Sequence, residues 1–161
     1  MRHLVFVNPY LTRQIPLEVM NERYARRFEL GNTPARATIW VESLPGGATI
    51  EYTGVAVRNL GERRAVRPKN MAPSPTASPC VFARDTLYCS AKSGFIPGPA
   101  SGIYTPDVAL QLRQTMRNLL DGLEEAEYFL VENRQPIAFH RGLGRSSIEG
   151  GGGTAGGLLV Y

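Results

Sequence analysis

The chain is short of the side chains on which most enzyme chemistry relies. Its 161 residues include two histidines, two cysteines and one tryptophan. His3 and His140 stand near opposite ends, and nothing in the sequence sets either beside a nucleophile, so no Ser-His-Asp or Cys-His device is readable. No group of His, Cys, Asp and Glu has metal-ligand spacing, and no metal site is expected. No apolar run approaches the roughly 18 residues that a membrane helix needs. The opening "MRHLVFVNPYL" carries too short an apolar stretch for a secretory leader. A cytoplasmic chain without membrane contact is therefore expected. The glycine-rich "RGLGRSSIEGGGGTAGG" (141–157) lacks the Gly-Lys-Ser/Thr ending of a phosphate loop, and "SGFIPG" lacks the spacing of a dinucleotide fingerprint.

What is present describes a globular domain. A hydrophobic share of 43% and a charged share of 20% allow one domain with a real core. The net charge of +4 gathers in "RNLGERRAVRPK" (58–69). That stretch has no aromatic residue to stack on bases, so a solvated basic connector is expected rather than a nucleic-acid reader. Cys80 and Cys89 bracket "CVFARDTLYC", whose Arg84-Asp85 centre suggests a two-residue hairpin with the cysteines directly opposite. A cross-strand disulfide fits that register. In a cytoplasmic protein, reduced thiols acting as small apolar residues are the expectation.

Residues 3–7 read as a first strand. A helix is predicted over about Leu17–Phe28, with Leu17, Met20, Tyr24 and Phe28 on one face and a Glu22–Arg26 pair on the other. "PARATIWVESLPGGATIEYTGVAV" (34–57) reads as two strands around a Pro45-Gly46-Gly47 turn. Ala37, Ile39 and Val41 suit a helix-covered core, opposite Arg36, Thr38, Trp40 and Glu42. The second strand sets Ile50, Tyr52, Gly54 and Ala56 against Glu51, Thr53, Val55 and Val57, apolar on both faces toward its end. Arg36 and Glu51 are charges within apolar strands. Such charges belong to a solvated face, an ion pair or a site. A long helix is predicted over about 106–125, with Thr105 as N-cap, Pro106 in the first helical position and Val108, Leu112, Met116, Leu119 and Leu123 as its core stripe. Residues 127–139 suit one or two strands, and the low-complexity 141–157 is expected to be mobile.

Two blocks resemble the reactive-intermediate deaminase family (Rid, YjgF-like; L-PSP endoribonuclease-like). "NPYLTRQIPLEVMNERYARRFELGNTPARATIWVESLPGGATIEYTGVAVR" is similar to that family's C-terminal half, through its Asn-x-x-Tyr helix, Pro-Ala-Arg strand start and Leu-Pro…Ala…Ile-Glu strand. "RDTLYCSAKSGFIPGPASGIYTPDVALQLRQTMRNLLDGLEEA" is similar to the N-terminal half, through its Asp-Thr-Leu-Tyr hairpin, Ser/Gly loop and Gln-x-Arg-Gln helix. The halves stand in reversed order, as in a circular permutation or a segment cut across a tandem protein. Residues 1–126 would then form one unit, with a C-terminal-type half (1–57), a connector (58–79) and an N-terminal-type half (80–126). Residues 127–161 are unassigned.

The resemblance implies an α+β fold like that of the chorismate mutases, with helices on one face of a sheet. It further implies three copies around a barrel-like centre, with ligand sites between them. It implies an enamine/imine deaminase that hydrolyses small 2-imino acids to 2-keto acids and ammonia without cofactor or metal. Arg36 would hold the carboxylate and Glu51 would position the water. Asn21, Thr38, Ser90, Gly94 and Phe95 match positions that line the family's cleft. Where the family often has Gly-Pro-Tyr, whose tyrosine closes the cleft, this chain has "SPTASP" (74–79) and no tyrosine. Two alternatives stand beside hydrolysis. One is a non-catalytic protein that retains small carboxylates. The other is RNA binding or cleavage through Arg63, Arg64 and Arg67.

Overall fold

The computed structural model describes residues 1–69, 71–96, 102–131 and 138–141. Of 128–131 and 138–141 only the backbone is described, as an antiparallel strand pair, β10 (Tyr128–Val131) and β11 (Ala138–Arg141). The expectation of mobility over 141–157 falls almost wholly outside the described residues.

The order of elements is β1 (Leu4–Leu11), α1 (Leu17–Ala25), β2 (Ala35–Arg36), β3 (Ile39–Trp40), β4 (Ile50–Ala56), β5 (Arg63–Val66), β6 (Cys80–Ala83), β7 (Thr86–Cys89), β8 (Phe95–Ile96), β9 (Ile103–Tyr104) and α2 (Val108–Glu125), before β10 and β11. The described residues form a mixed α+β protein with two α-helices and several sheets. No helix among the described residues is long and apolar enough to cross a membrane.

β1 is the central strand of the first sheet, and its position corrects the expected hairpin over 34–57. The two strands flanking Pro45-Gly46-Gly47 do not pair with each other. β1 lies between them, parallel to β2 and β3 and antiparallel to β4. A parallel neighbour requires a crossover, and α1 supplies it, making β1-α1-β2 a βαβ unit. The segment after β3 then passes over the end of β1. Val41 donates its N–H to Leu11 O on one side, and Thr12 donates its N–H to Thr49 O on the other. Gly46 and Gly47 turn this crossing with φ of 65° and 75°, which glycine adopts without steric cost.

The same register reverses the expected faces of the arginine strand. Val7, Leu11, Met20 and Tyr24 form a core cluster with Ile50 and Phe28 packed against it, so α1 covers the face that carries Arg36. Ala35 and Ala37 lie on the opposite face with Val5, Phe6 and Val81, flanked by Val55, Val57, Ala83 and Tyr88. That second cluster takes side chains from both halves of the chain and joins them.

The second sheet is β5-β6-β7. Cys80, Phe82, Leu87 and Cys89 meet Leu123 and Ala126 of the α2 end, and Leu119 and Leu120 pack against them. The hairpin turns at Arg84-Asp85 as expected, with Cys80 opposite Cys89, but the two sulfurs are bonded and no free thiol remains. The Cα atoms stand 4.0 Å apart, so the strand pairing itself brings the thiols together. The basic run is not a simple connector either, since part of it is β5. Arg63 donates from Nε to Leu4 O at 2.8 Å and from Nη2 to Asn32 O at 2.8 Å, tying β5 to the first half. Arg64 lies over the Phe82 ring at 4.4 Å, and Arg67 bonds the Met71 carbonyl.

α2 starts later than its sequence suggests. Asp107 is the N-cap and accepts from the Leu110 N–H at 2.8 Å, while Thr105 accepts from the Asp107 N–H outside the helix. Only the C-terminal part of the expected stripe is core. Val108, Leu112 and Met116 are 79%, 63% and 39% exposed, because the sheet ends beneath Leu119.

Replacing both Cys80 and Cys89 by alanine is expected to lower stability by about 2–3 kcal/mol, the chain-entropy value for a short loop. Urea unfolding of the oxidised protein and the double variant checks this, with a thiol titration reading no free thiol in the unreduced protein.

Candidate functional site

Arg36 stands where α1, β2 and the segment after β7 meet. Its backbone is held on both sides. The Arg36 N–H donates to Ser90 Oγ at 2.9 Å, and Arg36 O accepts from the Ala91 N–H at 3.1 Å. Ser90 Oγ in turn donates to Ser78 O at 2.6 Å. The Ser90 hydroxyl thus serves two main-chain groups of the seam between the halves, and each such group left unpaired in a buried place would cost about 1–3 kcal/mol.

The Arg36 side chain rises toward the helix. Its Nη1 donates to Asn21 Oδ1 at 2.7 Å, and its Cζ lies 5.2 Å from the centre of the Tyr24 ring. Asn21 and Tyr24 are three residues apart, and that helical spacing points both at one spot. The Tyr24 ring also stacks near Tyr52 of β4, with centroids 6.3 Å apart. Arg36 has no carboxylate partner among the described residues: Glu22 pairs with Arg26, Asp121 with Arg117 and Glu62 with Arg84. A half-buried guanidinium held by an amide and a ring keeps donors for an incoming anion, and its planar fork matches a carboxylate.

Burial shapes the electrostatics here. It lowers the pKa of Arg36, with the Tyr24 and Tyr52 phenols acting the other way. It raises that of Tyr24 far above the ordinary 10.0, offset in part by the Arg36 charge and reinforced by Tyr52. Tyr52 is raised too, by burial against the pull of Arg36. Both phenols stay neutral at physiological pH. The Tyr24 hydroxyl and Thr38 Oγ1 are buried without a hydrogen-bond partner among the described residues.

The sequence-derived site residues divide into three groups. Arg36, Asn21 and Ser90 are brought together by direct hydrogen bonds, with Ser90 acting through its hydroxyl on the Arg36 backbone. Thr38 follows on the Arg36 face, opposite Pro9 by the continuing register. Glu51 is elsewhere. It pairs with Tyr10, while its neighbours Ile50 and Tyr52 face α1, so Glu51 is exposed on the sheet face away from Arg36. Gly94 and Phe95, just before and at the start of β8, pack against α2. A Cβ on Gly94 would lie 2.7 Å from Gln111 O, and Phe95 O accepts from Asn118 Nδ2 at 2.8 Å. No hydrogen bond or ring contact joins either to Arg36 among the described residues. The sequence reading took Tyr24 for a core residue and Tyr52 for a strand residue. Their place beside Arg36 follows from the Asn-x-x-Tyr spacing and from β4 being two strands from β2, of which only the first is visible in the sequence.

Lys92, close to this seam, is depressed in pKa by burial and partly restored by Asp121. No group of three or more metal-ligating side chains occurs among the described residues. Comparison of the chain with protein-family models, with curated proteins and with solved structures finds no match.

The raised phenols give a pH dependence with a definite sign. A tyrosine whose folded pKa exceeds its unfolded value contributes stability that is complete below the unfolded pKa, near 10.0, and is lost as pH rises toward the folded value. Stability is therefore expected to fall above about pH 10. Tyr24→Phe should reduce that fall and leave neutral-pH stability unchanged or higher, because it removes an unpartnered hydroxyl. Urea unfolding from pH 8 to 11 measures both.

Proposed function

We propose that this protein binds the carboxylate of small 2-imino and 2-keto acids at Arg36 and hydrolyses the imine, as the deaminases it resembles do. The observation that carries the proposal is the Arg36 guanidinium, half-buried, aimed by Asn21 and Tyr24 and without an acidic partner among the described residues. Two N–H groups of the fork and the two oxygens of the acid make parallel charge-assisted bonds. Water then adds to the C=N carbon, the nitrogen takes a proton, and the carbinolamine collapses to the 2-keto acid and ammonia. The neutral tyrosines beside the guanidinium supply O–H donors of unchanged charge over the working pH range.

The position of Glu51 favours a second reading, in which the acid is held but not turned over. Within one chain its carboxylate is on the wrong sheet face to move the water proton at Arg36. The trimer implied by the resemblance is part of the first reading. There, β4, whose one strand neighbour among the described residues is β1, sets Glu51 against another copy. RNA binding has less support, because Arg63, Arg64 and Arg67 are each engaged with protein groups.

Ammonia release from freshly generated 2-iminopropionate separates these readings. Hydrolysis predicts acceleration over the spontaneous rate, a loss of about 10- to 150-fold in kcat/KM for Arg36→Ala from the missing charged hydrogen bonds, and a lower kcat for Glu51→Gln. A wild-type rate equal to the background leaves retention of the acid as the function. An active Arg36→Ala overturns both.

A further inference from the structure

Beside Tyr24, α1 and the β1–β4 pair line an open cleft of about 470 Å³. Its walls are Leu4, Val7, Phe28, Tyr52 and Gly54, with the buried Tyr24 among them, and Arg23 and Arg27 stand at its edge. A Cβ at Gly54 would meet Phe6 O at 2.8 Å, so the close approach of β4 to β1 at this wall needs glycine. Arg23 lies in the last turn of α1, and Arg27 follows just past the end of the helix. Neither has a side-chain partner among the described residues, in contrast to Arg26, which pairs with Glu22. Like charges at this spacing repel. Basic residues near a helix C-terminus complement its dipole, but that accounts for their place along the helix and not for their gathering beside an apolar hollow. The Tyr24 hydroxyl is a buried O–H without a partner among the described residues.

We propose that this cleft binds an amphipathic monocarboxylate, with a medium-length alkyl or aryl-alkyl body between α1 and β4 and its carboxylate between Arg23 and Arg27. Apolar walls with a few convergent polar groups, at this volume, are the general form of a small-molecule site. The charge at the rim is of one sign, which selects an acid over an alcohol or an amine. Arg36 is not among its walls, although Tyr24 and Tyr52 border both places, and the proposal does not depend on imine hydrolysis.

The test is calorimetric titration of the full chain with decanoate, below its micellar concentration, beside decanol and acetate. Decanoate is expected to bind at one site, with affinity rising about fourfold per methylene from hexanoate upward. Decanol and acetate should bind at least tenfold more weakly. Arg23→Glu/Arg27→Glu alters only exposed side chains and should lower decanoate affinity at least tenfold, with circular dichroism unchanged. Arg36→Ala should leave it within about twofold. Equal affinity for decanol, unchanged binding in the double variant, or no binding to the wild type overturns the proposal. Loss in Arg36→Ala with retention in the double variant also overturns it, by placing the acid at Arg36. Dispersal of a dimer by decanoate, with no saturable binding to the monomer, would assign the cleft to a second copy instead.

Discussion

The structure hangs on the main chain of Arg36. Its N–H ends on the Ser90 hydroxyl and its carbonyl takes the Ala91 N–H, so a residue of the first half is paired along the chain that leaves β7 in the second. Ser78 extends this seam by donating its N–H to Pro34 O and exchanging hydroxyl bonds with Thr33. Arg63 adds a tie to Leu4 and Asn32. Around these polar bonds the cluster of Phe6, Ala35, Ala37 and Val81 closes without regard to which half a residue comes from. Each sheet keeps a cluster of its own under one helix, and this third cluster joins the two into one domain.

That seam also explains why the guanidinium is where it is. With backbone bonds fixing Arg36 on both sides, its side chain must rise on the α1 face, and one turn of helix sets Asn21 and Tyr24 to receive it. Burial weakens its hold on charge and strengthens the hold of Tyr24 and Tyr52 on their protons, which leaves a cation among neutral side chains. This combination suits recognition of an acid. It does not by itself supply the base that hydrolysis needs, since Glu51 lies on the far sheet face.

Local patterns were readable where a single element decides the outcome. The Arg84-Asp85 hairpin, the cysteine register, the α1 face of Met20, Tyr24 and Phe28 and the position of the long helix all follow from short-range spacing. The errors share one cause, which is partners distant in sequence. Pro45-Gly46-Gly47 looks like a hairpin turn because nothing local reveals that β1 will lie between the flanking strands. With that pairing missed, Ala37 and Ile39 looked like the helix-covered set, although Arg36 and Thr38 face α1. β5 was hidden by its own arginines, whose charges are spent on Leu4, Asn32 and the Phe82 ring. Val108, Leu112 and Met116 keep a helical period yet stay exposed among the described residues. Of the site, Arg36 and Asn21 were legible by resemblance, whereas Tyr52 entered only through the order of strands.

The central claim is that Arg36 is a carboxylate receptor. Titration of pyruvate, an unreactive 2-keto acid, into the wild type and Arg36→Ala tests it most directly. Saturable binding that weakens by at least about tenfold in the variant, the value of a lost charged hydrogen bond, is the predicted result. Equal binding to both proteins, or none to the wild type, would contradict it.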